Sequence, residues 1–530
     1  DFNNIQQELL DPKSRLYDHN PEIVIFFNCV QMLEEKFGGL EDRSFAEATV
    51  EEIVGNWKTV RSTGDIVVLQ HNFCLPLDFT FGSYSGSCPV AFRNAIIKIN
   101  AELSRTASEI SNVRIIDTEF QASYYGKRAW LDDRLWCQAK QALSPTFLPP
   151  LVKMVSDVIL EGRGVGVKCV VLDLDNTLWG GILGDVGLNG IEIGEISSVG
   201  IGFSRFQKAL KLLGERGILL AVCSKNVQAA AEEVFRKHPD MELSLDDIVC
   251  FTANYEDKAN NILAIQESLN IGLDSFVFLD DSNFERDYVR SSIPEIQVPD
   301  LPEDPTEYLQ AMTRWNLFES SKFSTEDANR TSLYKSEATR RELRNKHPDL
   351  SSYLQSLEMV AIVAPFNEFS LPRVSQLIQR SNQWNLTTYR HSDAQLRQFA
   401  QATDRHLTLT IRLKDRLGDN GIVAVVIGNL TQSDMTIDSW IMSCRVLGRR
   451  VEELTFSMII QKAQALGCQR IIGHYIESSK NSMVAELFPK LGFEMLGTEG
   501  KTRTYTFDVN KFVPYTDIPI EIVEGVEHGH

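Results

Sequence analysis

No Cys-x-x-Cys pair and no His-x-x-x-His pair occurs in the chain, so the usual spacings of a structural zinc site are missing. The nine cysteines, at 29, 74, 88, 137, 169, 223, 250, 444 and 468, are odd in number and without framework spacing, and they read as reduced thiols. No apolar run approaches the roughly 18 residues of a membrane span, and no segment resembles a secretory leader. These absences predict a cytoplasmic protein that engages no membrane. Positive charge is also short: 53 Lys and Arg stand against 72 Asp and Glu, a net charge of −19. Nucleic acid is therefore not an expected partner, and an acidic protein would need a local basic patch to dock. The chain opens on Asp1 rather than Met, so the first domain is expected to lack its opening portion.

The 530 residues, 43% of them apolar, suffice for three or four globular domains with real cores. The most informative stretch is Val171-Leu172-Asp173-Leu174-Asp175-Asn176-Thr177-Leu178-Trp179, an apolar strand run that ends in acids. Residues i and i+2 of a strand share a face, so Asp173 and Asp175 project together from its carboxyl end, with Thr177 close behind. Ligands of open α/β sheets bind at that end. One carboxylate can attack phosphorus while the other protonates the leaving oxygen, with a hard cation offsetting the charge. Asp173 is the expected nucleophile and Asp175 the expected acid.

The groups this chemistry still needs follow in order. Ile218 to Cys223 is a second strand run, ending in Ser224, Lys225 and Asn226, short donors suited to phosphoryl oxygens. Lys258 lies in a polar turn, and Phe276 to Leu279 is a third run ending in Asp280 and Asp281. Asp173, Asp175, Asp280 and Asp281 are the expected ligands of a magnesium ion, which prefers carboxylate oxygens and water. This ordered pattern resembles the haloacid dehalogenase-like phosphatases. Only 51 residues separate Asp173 from Ser224, and a helix-like run from Phe203 to Leu213 fills part of that span. There is no room for a large cap, so an open site and a large or delivered substrate are expected.

Elsewhere the pattern divides the chain into an N-terminal α/β domain over 1–165, the phosphatase domain over 166–315, a helical connector over 316–360, a C-terminal domain over 361–512 and a tail over 513–530. His71, Asn72 and Asp117 follow strand runs of the first domain and read as polar loop residues without an activity of their own. The segment from Trp130 to Trp136 reads as packing. Arg330, Arg340, Arg341 and Arg344 of the connector form the densest positive cluster, expected as a solvated face and a candidate dock for an acidic partner.

After residue 360, strand runs 407–413, 422–428 and 435–442 precede Ser443-Cys444-Arg445-Val446-Leu447-Gly448-Arg449-Arg450, which is expected to open a helix. A further strand over 471–475 and a helix over 481–491 follow. The order resembles the GNAT acetyltransferase fold, giving an α/β, multidomain chain overall: a doubly wound parallel-sheet phosphatase flanked by an N-terminal α/β domain and a GNAT-like α+β domain. The GNAT pyrophosphate turn reads Arg/Gln-x-x-Gly-x-Gly/Ala, and here Arg450 replaces the final small residue. Cys444 stands between a strand end and a helix start, beside Arg445 and near Arg449, surroundings that favour thiolate.

Four strings together, Leu172 to Gly181, Gln379 to Thr388, Asp415 to Gly421 and Ser443 to Arg449, resemble the FkbH-like proteins of polyketide biosynthesis over nearly the whole chain. The resemblance implies a bifunctional glyceryl transferase and phosphatase. Such proteins take the three-carbon unit of 1,3-bisphosphoglycerate, remove its phosphate and leave glyceryl as a thioester on the phosphopantetheine arm of an acyl carrier protein. On this footing Cys444 is the acyl-carrying thiol. Asn382, Gln383, Asn385, Thr387, Thr388, Asp415, Arg445 and Arg449 are candidates for orienting substrate and phosphate, although such side chains equally cap turns. Two other readings compete: a magnesium-dependent phosphatase with a non-catalytic GNAT-like domain, and a CoA-dependent acyltransferase.

Overall fold

A computed structural model describes residues 5–110, 112–320, 323, 325–381 and 383–525. They divide into two compact units, one of residues 1–159 with 392–394, the other of 160–391 with 395–530. Among the described residues no helix is long and apolar enough to cross a membrane.

The first unit carries a three-stranded parallel sheet in the order β1 (Ile23–Phe26), β2 (Val67–His71), β3 (Val113–Ile116). Helices Phe45–Ser62 and Phe92–Glu109 bury Trp57, Val60, Ile96, Ile99 and Leu103 in its core, as the expected α/β alternation requires. At the carboxyl ends of β2 and β3 the polar residues satisfy one another. Asn72 donates to Asp117 at 2.7 Å, His71 Nδ1 meets Thr118 Oγ1 at 2.8 Å, and Asp117 caps the next helix by accepting from Phe120 N. Trp130 is buried and stacks on Phe147, with 5.4 Å between ring centroids.

In the second unit, β4 (Cys169–Leu172), β5 (Leu219–Ser224), β6 (Ile248–Ala253) and β7 (Phe276–Leu279) form a fully parallel sheet ordered β6-β5-β4-β7. Alternation along β4 sends Val170 and Leu172 into one core, and Cys169 and Val171 into the other. Both faces are thus covered, which is why the strands are unbroken apolar runs. The chain leaves β4 for β5 on one side, and β7 arrives on the other, so β4 is the switch point where a crevice opens. Between Asp173 and Ser224 lie a one-turn helix Leu183–Val186, the Gly180–Glu192 bridge and helix Ser198–Glu215.

The connector is helical over Thr325–Ala328, Arg330–Lys346 and Leu350–Ser356. Its cations do not form one solvated face. Arg340 is 1% exposed and donates to Asp415 through Nε and Nη2 at 2.9 and 2.8 Å, and Arg344 lies over the Tyr353 ring.

The C-terminal α+β part is an eight-stranded mixed sheet. It comprises β8 (Met359–Ala364), β9 (His406–Asp415), β10 (Gly418–Leu430), β11 (Asp434–Met442), β12 (Arg470–Ile476), β13 (Glu494–Glu499), β14 (Thr502–Asp508) and β15 (Ile520–Glu524), ordered β13-β14-β12-β11-β10-β9-β8-β15. The expected tail therefore contributes an edge strand, β15, parallel to β8, because its backbone groups complete an otherwise open edge. Strands β11 and β12 are parallel and pair only over Asp434–Ile437 and Arg470–Gly473. Beyond that point they part, and residues 384–388 enter the gap. Met442 N donates to Trp384 O, Ile476 N to Leu386 O and Thr387 Oγ1 to Asp438 O.

Two helix expectations need correction. The chain after β11 makes a single 3-10 turn, Cys444–Val446, and the helix runs only from Val451 to Ala465. Gly448 at φ 73° and Arg450 at φ 62° take left-handed backbone, which breaks a right-handed helix. Residues 481–491 form a 3-10 turn and the four-residue helix Leu487–Lys490, since Pro489 has no N–H to continue the ladder.

Candidate active site

At the carboxyl end of the parallel sheet, Asp173, Asp280 and Asp281 each bring a carboxylate oxygen to within 4.8 Å of the others. Strands β4 and β7 are neighbours in register, Leu172 beside Leu279, so the residues that follow them must meet. Lys258 opens helix Lys258–Leu269, capped by Asp257, and reaches in from beyond β6. Its Nζ lies 2.9 Å from Asp173 Oδ1 and 2.6 Å from Asp280 Oδ2.

All these groups but Asp281 are buried, with Lys258 at 3% and Asp280 at 0% exposure. Burial, and then the charge of Asp173, pushes Asp280 up to about 7 and raises Asp281. Burial works against the ammonium of Lys258, yet Asp173 and Asp280 hold its pKa above the ordinary value. With all three carboxylates ionised, the single ammonium leaves two negative charges uncompensated. An all-oxygen cluster with that surplus fits a hard divalent cation. Asp173 Oδ1 is buried with Lys258 Nζ 2.9 Å away, and a carboxylate has lone pairs enough to meet an ammonium and an ion together.

Asp175 is placed otherwise than expected of a metal ligand. Its Oδ1 accepts from Trp179 Nε1 at 2.9 Å and Leu183 N at 3.1 Å, and its Oδ2 accepts from Asn226 Nδ2 at 2.9 Å. Three donors occupy both oxygens of the carboxylate, and Asp175 is not among the three acids that share the cluster. Asn226 also donates to Ser224 Oγ at 3.2 Å, which ties the end of β5 to that of β4. Thr177 is buried and accepts from Asp281 N at 3.1 Å, fixing the turn after β7. Lys225 is turned aside and pairs with Glu285 at 2.6 Å. Sequence reasoning passed over Trp179, Glu285, Arg286 and Tyr308. Arg286 donates to the Asp280 and Asp281 carbonyls at 2.6 and 2.7 Å, and Tyr308 donates to the carbonyl of left-handed Asn176. Only the Trp179 spacing, four residues after Asp175, offered a signal.

The C-terminal candidates separate into two groups. Gln383 and Arg445 line a cavity of about 480 Å³ together with Ser443. Cys444 lies between two of these lining residues, on the 3-10 turn, but its side chain is outside the described ones, as is Asn382 altogether. The others are built into the fold. Asn385 is fully buried and accepts from Thr388 N. Arg449, 3% exposed, pairs with Glu337 and with Asp415 Oδ2 at 3.3 Å, and donates to Arg445 O. Asp415, accepting from Arg340 and Arg449, is the centre of a buried ion cluster and not a substrate ligand. Arg450 turns to Asp517 and Glu453. Burial raises the thiol pKa of Cys29, Cys74, Cys169, Cys223, Cys250 and Cys468, which disfavours their thiolate forms.

Comparison with known proteins matches residues 1–160 to the model of the FkbH N-terminal domain. Among solved structures, the N-terminal part of BF1531 from Bacteroides fragilis, which contains a phosphatase domain and was crystallised with Mg, is 36% identical. That match covers 61% of this chain and 85% of that one, with a TM-score of 0.58. The chain belongs to the FkbH-like family. The C-terminal part of this FkbH-like protein overlaps the ribosomal-protein-S18-alanine N-acetyltransferase of Escherichia coli at 14% identity, 28% of this chain, 91% of that chain and a TM-score of 0.22. The GNAT domain of S. lividans PAT overlaps at 15%, 28%, 89% and 0.24. Overlap this limited leaves the C-terminal chemistry to be read from its own residues. No curated protein sequence matches the chain.

Proposed function

We propose that this FkbH-like protein is a bifunctional glyceryl transferase and phosphatase. It converts 1,3-bisphosphoglycerate into glyceryl thioester on an acyl carrier protein for polyketide biosynthesis. The observation that carries the reading is the buried Asp173, Asp280, Asp281 and Lys258 cluster at the sheet's switch point. Magnesium, held there by Asp173, Asp280 and Asp281, would neutralise the phosphate as charge develops on it; the BF1531 fragment was crystallised with that ion.

In the transfer half, the Cys444 thiolate attacks the acyl carbon, the carbon–oxygen bond breaks, and inorganic phosphate leaves with the electron pair. Exchange onto the phosphopantetheine thiol regenerates Cys444. In the phosphatase half, a carboxylate oxygen of Asp173 attacks phosphorus and the ester bond breaks. Asp175, aligned by Trp179 and Asn226, gives its proton to the departing glyceryl hydroxyl. Water then attacks the aspartyl phosphate. Ser224 and Lys258 bind the phosphoryl oxygens in this scheme.

The absence of a cap domain between β4 and β5 supports a substrate presented on another macromolecule. So do exposed Ile182, Ile196, Val227, Tyr255 and Phe284 in the segments that follow β4 to β7. We read the protein as cytoplasmic, where its free thiols stay reduced.

Intact-mass analysis with 1,3-bisphosphoglycerate, Mg²⁺ and candidate carrier proteins tests the scheme. Wild-type protein is expected to deliver dephosphorylated glyceryl to the carrier, Asp173→Asn to stop at the phosphorylated species, and Cys444→Ser to load nothing. Full loading of Cys444→Ser refutes the thiol assignment, and normal dephosphorylation by Asp173→Asn refutes the nucleophile.

A further inference from the structure

The cavity beside Cys444 opens at the opposite end of the parallel sheet from Asp173. Lys168 and Ser275, the residues immediately before β4 and β7, line it. The four residues of β4 span about 13 Å at about 3.3 Å each, so the cavity and the carboxylate cluster are separate sites. Further walls come from the connector helix (Arg330, Tyr334) and from the turn after β11 (Ser443, Arg445).

The lining holds five basic against three acidic side chains, in a chain whose net charge is −19. Two of the acids are engaged: Asp274 pairs with Lys480, and Asp327 accepts from Gln376 at 2.7 Å. Two of the cations have no carboxylate partner among the described residues. Arg330 donates to Gly217 O at 3.3 Å, and Arg445 reaches only Ser443 Oγ at 3.2 Å and Asn420 O at 3.4 Å. A half-buried guanidinium held by long, neutral contacts retains most of its capacity for a charged acceptor, and its planar fork matches phosphate oxygens. The volume of about 480 Å³ suits a small ligand with room for an incoming thiol arm.

We propose that this cavity is the acyl-transfer pocket, holding the phosphorylated three-carbon acid with Arg330 and Arg445 on a phosphate while its acyl carbon faces position 444. The assignment rests on the transferase reading above and deepens it. It brings in Arg330, a connector residue, and separates the anion site for loading from the carboxylate site for dephosphorylation.

The probe is 3-phosphoglycerate, which lacks the transferable acyl phosphate, titrated calorimetrically into the full chain in EDTA. Arg445→Ala and Arg330→Ala are each expected to raise its Kd roughly tenfold or more, with Arg445→Lys in between. Phenylglyoxal labelling of the wild-type protein, read by peptide mass spectrometry, gives a second measurement that needs no variant to fold. There 3-phosphoglycerate should protect both arginines. An unchanged Kd in the two alanine variants, or equal labelling with and without ligand, overturns the pocket. Thioester on Cys444 with binding indifferent to both arginines removes the pocket and leaves the function standing. Arginine-dependent binding with no thioester on Cys444 does the reverse.

Discussion

Replacing Lys258 with Met removes the one ammonium that faces Asp173 and Asp280, while keeping a side chain of similar length. At an effective dielectric of about 20, ion pairs at 2.9 and 2.6 Å are each worth roughly 6 kcal/mol of gross attraction. Desolvation of the buried lysine offsets much of that, so the net loss should be about 3–5 kcal/mol, the usual effect of leaving a buried charge unpaired. The cluster goes from two surplus negative charges to three. Urea unfolding in EDTA should show this deficit, and excess Mg²⁺ should restore part of it by supplying the missing positive charge. Turnover of a phosphate ester should fall about 100- to 1000-fold, as for the loss of one fixed electrostatic stabiliser. A Lys258→Met protein within about 0.5 kcal/mol of wild type that also turns over normally would refute the cluster as the catalytic centre.

Trp179→Phe deletes the Nε1 donor to Asp175, and kcat should drop roughly tenfold or more with KM little changed, measured with an aryl phosphate. Asp415→Asn leaves Arg340 and Arg449 buried without their shared carboxylate and should destabilise the fold by about 3–5 kcal/mol in denaturant; a loss under about 1 kcal/mol contradicts the ion-cluster account. Despite burial, Arg340 holds Asp415 below the ordinary carboxylate range. Its contribution is therefore present above about pH 3.9 and lost as pH falls through its depressed value, so wild type should lose more stability on acidification than Asp415→Asn does. Phe284→Ser, at an exposed position on helix Asn283–Ser292, should slow dephosphorylation of a carrier-bound substrate and spare a free aryl phosphate; equal effects on both would argue against a docking role.

The parallel sheet and its acids were legible because their signals are local. Each of β4, β5 and β7 is a fully buried apolar run, and strand periodicity aims the side chains just past its carboxyl end. Asp173 and Asp280 fall together because the order of motifs dictates neighbouring strand ends. Cys444 was marked by its place at a strand end, and Arg445 by the cation it adds there. Pattern alone did not reveal that Asp175 would turn to Trp179 and Asn226, or that Lys225 would leave for Glu285. Both depend on partners outside the strands, in the turns and the helix that follow them, whose positions are set by packing.

Charge shows the division most plainly. A basic run such as Arg340, Arg341 and Arg344 carries the same letters whether solvated or buried, and only the arrival of Asp415 from β9 drew Arg340 inside. Arg449, read as a phosphate ligand from its neighbourhood to Cys444, joined the same cluster. Composition and periodicity determined which segments are strands, which ends carry acids and which thiol has cations beside it in the chain. The tertiary structure decided which cations remain without a carboxylate and which cavity they face, since the energy of an ionic side chain depends on partners distant in sequence.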